Sequence, residues 1–232
     1  MNYHLLGLAS AFFMLLSLSG IASQVKLIWD RKTLFHKGEL EGERPTSVLS
    51  LNRFSTSFFA FFAMFFYGLT LERFNHYIVW PRVIALAMLL IVLYEIMRDR
   101  RDTMSYFIFT LGSVLCAGSL VLALTQYRVT FYEVYASHIF AFCVTCIFAQ
   151  GAAHQIYKIR KSGSAGALSL RMHQLYALKD FSSVLFGIAM QLDKGWPVIF
   201  QHSVSFIVQI ATMYHFRWVK DSTLAKERRE DS

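Results

Sequence analysis

The chain has 232 residues, 55% hydrophobic and only 16% charged, with a formal net charge of +8. Roughly a quarter of the residues in an ordinary soluble domain are charged, so this composition argues against a solvated globular protein. What the basic excess means depends on where it lies along the chain.

The apolar residues come in runs. The first, residues 5 to 25, contains no Lys, Arg, Asp or Glu and is long enough for a helix across about 30 Å of hydrocarbon. The start "MNYH" lacks the cationic region of a secretory leader, so this run reads as a retained helix. A second run covers 54 to 71, and a third, 77 to 97, carries Arg82 and Glu95 close to its ends. The fourth, 103 to 127, carries no charge, is low in polar residues and has none that asks for a chemical role. Residues 134 to 157 make the fifth. The sixth, 172 to 192, is interrupted near its middle by Lys179 and Asp180, and the seventh covers 195 to 216. The polar tail "DSTLAKERREDS" from Asp221 reads as a disordered end. The expected architecture is an all-α membrane protein with seven transmembrane helices.

Basic residues set the orientation. Loops on one side of a seven-helix arrangement hold seventeen Lys and Arg, and those on the other hold only Arg73, Arg82, Arg128 and Lys194. This split places the C-terminus in the cytosol and the N-terminus outside, and it spreads the positive charge along a membrane face, against nucleic acid as a partner. Short loops and a short tail suggest the cell membrane, inner or plasma, as the location, with lipid as the surrounding partner. Cys116, Cys143 and Cys146 fall inside expected spans, where packing is the simplest role. No metal site, cofactor site or enzyme motif is present: there is no Gly-x-Ser-x-Gly, His-Glu-x-x-His or phosphate loop.

The chain repeats itself. Gly151-x-x-His154-Gln155 answers Gly20-x-x-Ser23-Gln24, each near the basic end of an apolar run. A basic loop and Leu-Ser-Leu follow in both halves (49–51 and 168–170), then Phe186-Gly187 answers Tyr67-Gly68 and Trp196-Pro197 answers Trp80-Pro81. This gives a 3+1+3 arrangement of parallel repeats: a first three-helix unit over 1–98, a linker helix over 99–130, a second three-helix unit over 131–218 and a tail over 219–232.

Gln155-Ile156-x-Lys158, Arg160-Lys161-Ser162 and Gly166-Ala167-Leu168-Ser169, placed within this layout, resemble the signature of the PQ-loop superfamily, which includes the SWEET sugar transporters and the cystinosin-like amino-acid exporters. The resemblance implies a small-solute transporter with alternating access. The prolines of the Pro-Gln pairs are absent, replaced by Ser23 and His154; Pro81 and Pro197 are expected near helix starts, so any bending is assigned to Gly20 and Gly151. In the amino-acid exporters an aspartate of the sixth helix is linked to proton coupling, and "LKDFSSVLFG" is similar to that segment. The tryptophan and asparagine pattern of the sugar transporters is not matched, which ranks an amino acid or similar small polar solute first. A sugar transporter, or a seven-helix receptor or regulatory protein on the same scaffold, is the alternative. Oligomeric state is left open.

Candidate site residues come from the sixth and seventh runs. Lys179 lies roughly 12 Å from the nearer end of its helix, close to mid-bilayer, where a charge is expensive and faces the bundle interior. His173, Tyr176, Asp180, Ser183 and Gly187 share one helix face, as do His202, Ser205, Gln209 and Thr212 in the seventh run and Ser10, Ser17 and Gln24 in the first. Substrate binding or proton coupling is expected at His173, Tyr176, Lys179, Asp180, His202 and Gln209.

Overall fold

The computed structural model describes residues 2–38, 45–46, 49–165 and 170–230. Among these the regular structure is entirely helical: α1 Tyr3–Ser17, α2 Ser19–His36, α3 Leu51–Thr70, α4 His76–Arg100, α5 Thr103–Ala123, a 3-10 turn Gln126–Arg128, α6 Thr130–Glu133, α7 Ala136–Ser162, α8 Leu170–Ala189, α9 Leu192–Asp221 and α10 Thr223–Glu230. Four helical stretches among the described residues are long and apolar enough to cross a membrane: Tyr3–His36, His76–Arg100, Thr103–Ala123 and Ala136–Lys161. Gly166 to Ser169, which carry the end of the basic-loop motif, lie outside the described residues, as does Arg44.

Side-chain caps define several of the helix starts. The Ser50 hydroxyl accepts from the Arg53 N–H, Asn75 from Ile78 and Asp102 from Ser105, each satisfying a donor that the first turn leaves free. The Ser105 N–H holds the Asp102 carboxyl below the usual range, ahead of a smaller burial effect in the opposite sense. Arg101 (φ 56°) and Gln191 (φ 73°), both non-glycine residues at positive φ, end α4 and separate α8 from α9.

The chain divides into two compact units, Leu18–Ala141 and the combination of Met1–Ser17 with Phe142–Ser232. In the first, α4 packs against α2, α3 and α5. Val25, Ile28, Leu49, Val92 and Ile96 form an apolar cluster there. Its basic end is held by an ion pair of Lys32 with Glu95 at 2.9 Å, by Thr46, whose N–H and hydroxyl both donate to Asp99, and by Arg100 donating to the Leu49 carbonyl. At the other end Arg128 donates to the carbonyls of Leu69, Leu71 and Glu72, satisfying acceptors that the end of α3 leaves free. In the second unit α8 packs against both α1 and α9, and α10 against α9.

Four expectations need correction. The first apolar run is not one helix: α1 ends at Ser17, α2 begins at Ser19, and the two belong to different units. The interruption is the single residue Leu18, whose dihedrals stay in the right-handed helical region, next to Ser17, whose hydroxyl bonds the Met14 carbonyl. Pro81 and Pro197 lie near helix starts but past the first turn, where a missing N–H is no longer free of cost. Each is the sixth residue of its helix and removes an internal N–H···O=C bond. The tail is not unstructured, since α9 runs to Asp221 and α10 follows with Ala225 fully buried. Cys143 and Cys146 are exposed on α7, so neither fills an interior position of this chain.

Candidate functional site

The α8/α9 hairpin turns a polar face of each helix inward. Its tight end comes first: a Cβ added to Gly187 would meet Ile199 Cγ1 at 2.7 Å and the Gly195 carbonyl oxygen at 3.3 Å, and one added to Gly195 would run into the Gly187 carbonyl. Two glycines are what this backbone approach requires.

One to two turns further in, Asp180 is completely buried. Its Oδ1 accepts from Lys179 Nζ at 2.7 Å and from His202 Nδ1 at 2.8 Å, and its Oδ2 accepts from the Ser205 hydroxyl at 2.6 Å. The Lys179 ammonium also sits over the Tyr176 ring, 5.6 Å from its centre. A carboxylate with three donors and an adjacent cation is the form in which a buried charge is tolerable, and removing one partner would leave the other uncompensated. On the α1 side, Ser10 Oγ and Ser183 Oγ lie 3.0 Å apart, and Tyr3 packs against Phe186.

Toward the basic end, His173 Nδ1 and Gln209 Oε1 are 2.5 Å apart, linking α8 to α9 again. Beyond them, Arg160 Nε on α7 donates to His215 Nε2 at 3.0 Å, while His215 Nδ1 donates to the Ala211 carbonyl. Arg160 also stacks on Trp218, and its carbonyl accepts from Arg228 of α10 at 2.5 Å.

The predicted residues therefore fall into two groups. Lys179, Asp180, Tyr176 and His202 come together, and His173 and Gln209 pair nearby. The positions matching the Pro-Gln motifs lie elsewhere: Ser23 is exposed and bonds the Ser19 carbonyl, and Gln24 and Gly20 are half-buried on α2. Gly151, His154 and Gln155 are exposed on α7, with open space around Gly151 and His154 stacked on Tyr157. The helix is interrupted at Leu18, two residues before Gly20, whereas α7 runs unbroken through Gly151. Sequence reasoning missed the Arg160–His215 contact. The signal was His215 three residues beyond Thr212, which extends the polar face by one turn.

No family model matches this chain, and neither a curated protein nor a solved structure does.

Proposed function

We propose that the chain is a multi-pass transporter of a small polar solute, an amino acid or similar metabolite, working through the acid Asp180. The observation that carries this reading is a fully buried Asp180 held by Lys179, His202 and Ser205 halfway along a helix of an otherwise apolar chain. Ionisable groups at such depth are expensive and mark ion or solute pathways. The proposal includes α3, α8 and α9 as further spans, completing seven in a 3+1+3 order, with the N-terminus outside and the C-terminus at the cytosolic face of the cell membrane. The PQ-loop resemblance agrees with this layout. Because Asp180 is sealed from solvent, the solute reaches it only when the hairpin opens, and Gly187, Gly195 and the helix-interior Pro197 supply the points at which α8 and α9 separate with least side-chain obstruction.

The test is thermal stabilisation of the detergent-purified protein by a panel of amino acids, organic acids, nucleosides and sugars at acid and neutral pH, repeated on Asp180→Asn. A solute that stabilises the wild type in a pH-dependent manner but leaves the variant unmoved supports the reading and names the class. Silence across the whole panel turns the weight to a receptor or regulator on the same scaffold, with Lys179 and Asp180 as a structural pair.

A further inference from the structure

The polar residues of the second unit do not end at Asp180. On α9 His202, Ser205, Gln209, Thr212 and His215 are all buried and follow one another at intervals of three and four residues, so the first four share one face and His215 continues their file about 60° further round the helix. From His202 to His215 that file rises about 20 Å at 1.5 Å per residue, enough to lead from mid-bilayer to the membrane edge. Its ends are chemically distinct. One is the Asp180 carboxylate, bonded to His202 and Ser205; the other is His215, which accepts from Arg160 at the C-terminal end of α7. His173 joins between them through Gln209. In the opposite direction the buried polar side chains are Ser183, paired with Ser10 of α1, Ser182, on the Lys179 carbonyl, and Gln201; beyond them come Phe186, the Gly187–Gly195 approach and Val198, and no histidine or acid is buried on that side of the hairpin.

Packing does not demand this file. The α3/α4 hairpin repeats the α8/α9 hairpin, with Gly68 approaching Ile78 and Val79 just before Trp80-Pro81, as Gly187 approaches Gly195 just before Trp196-Pro197. Counting from the shared Trp-Pro, His202, Ser205, Gln209 and Thr212 correspond to Leu86, Leu89, Leu93 and Ile96, and these four are also buried. The same face in the same kind of hairpin closes with aliphatic side chains in one copy and with proton-carrying or proton-accepting ones in the other. Burying a polar group costs free energy unless it is hydrogen-bonded, so a polar lining where Leu suffices calls for a reason beyond cohesion.

We infer that this file is a one-sided proton path, exchanging the proton of Asp180 with the basic-loop end of the membrane through His202, Ser205, Gln209 with His173, and His215. It rests on the reading of Asp180 as the working acid and adds the side from which that acid is loaded. Between Ser205 and Gln209 the step is one helical turn, and between Gln209 and His215 the buried Thr212 hydroxyl lies on the way, with its bond to the Val208 carbonyl. The groups that set the charge around the path are Lys179 beside Asp180 on α8, His202 on α9, and Arg160 on α7 with Arg228 of α10 on its carbonyl; α1 contributes the hydroxyl of Ser10 next to Ser183 and no charge at this level. A proton arriving at His215 Nε2 takes the position that accepts from Arg160 Nε, so loading must break that contact. Arg160 is thus a gate at the mouth rather than a carrier.

The experiment follows the infrared carboxyl bands of the full-length protein in lipid nanodiscs after a light-triggered proton release, with Asp180→Asn identifying the band that belongs to Asp180. Gln209→Leu and His173→Leu are expected to slow the response of that band by about tenfold or more while its titration midpoint stays where it is in the wild type. Ile210→Leu, on the exposed side of the same helix, serves as the folded control and should leave the rate unchanged. Should either Leu variant fail to fold, Thr212→Val and Gln209→Met report the same rate with less change in volume. A shifted midpoint with an unchanged rate would mean that these residues only tune or brace Asp180, and it overturns the path. The measurement uses no solute, so a negative solute panel combined with a slowed band would sink the transport reading and leave the path standing, and the reverse pattern would do the opposite.

Discussion

The α3/α4 and α8/α9 hairpins are two solutions to one packing problem. Each joins a helix of 20 residues to a longer one through a glycine contact near the turn, and each places a proline at the sixth position of its second helix. The first fills most of its interior with Phe58, Phe62, Met64, Leu86, Leu89 and Leu93; its buried Arg82 sits near the turn on the Ile78 carbonyl, and its ion pair is at the basic end, where Lys32 meets Glu95. The second holds Lys179, Asp180, His202, Ser205 and Gln209 inside. The two hairpins thus differ in what they bury, and the proposed role of Asp180 rests on that difference.

The comparison can be broken or sharpened by mutation. The largest effect is expected for Asp180→Leu, which leaves the Lys179 ammonium buried without its carboxylate and should cost about 3–5 kcal/mol in thermal unfolding. The double change Lys179→Met with Asp180→Leu makes the second hairpin resemble the first and should recover most of that loss; if it does not, the polar interior is needed for folding itself. Next come the glycines. Gly187→Ala and Gly68→Ala should each destabilise by about 1–3 kcal/mol, because the new methyl meets Ile199 and backbone at the first and the branched Cβ and Cγ2 of Ile78 at the second. Clearly unequal effects would mean that the two turns differ more than their contacts suggest. Leu89→Ser, which imports the second hairpin's residue into the first, removes buried apolar area and adds a hydroxyl, with an expected cost of about 2 kcal/mol in the same assay. The smallest change is expected for Arg228→Ala. Losing its bond to the Arg160 carbonyl should lower stability by about 0.5 kcal/mol, visible as faster proteolysis of α10 with the unfolding midpoint almost unmoved.

Much of this was legible in the chain. The six runs from residue 54 onward each became a helix with ends within a few residues of those expected, because mainly apolar stretches of that length with at most two charges have few alternatives. The inward faces of α8 and α9 followed from residue spacing, since His173, Asp180 and Ser183, or His202, Ser205 and Gln209, share a face in any α-helix. The break at Leu18 was not legible, because Ser-Leu-Ser-Gly weakens a helix without forbidding it, and tertiary contacts decide whether it is interrupted. The folding of the tail was hidden too. "TLAKERRE" has little apolar surface, and its helix is held by contacts with residues far away in sequence: Gly163 (φ 64°) against the Ala225 carbonyl and Arg228 on the Arg160 carbonyl.

What the sequence determined by itself was helical content, the length of the apolar stretches and the direction each polar side chain leaves its helix, all of which depend on neighbours three or four residues away. Tertiary structure alone decided that α1 packs on α8 while α2 packs on α4, that His202 rather than another base holds Asp180, and that Arg160 meets His215. Those pairings join residues tens to more than a hundred positions apart, and which of many compatible partners meets a buried carboxylate is settled only when whole helix faces are packed together.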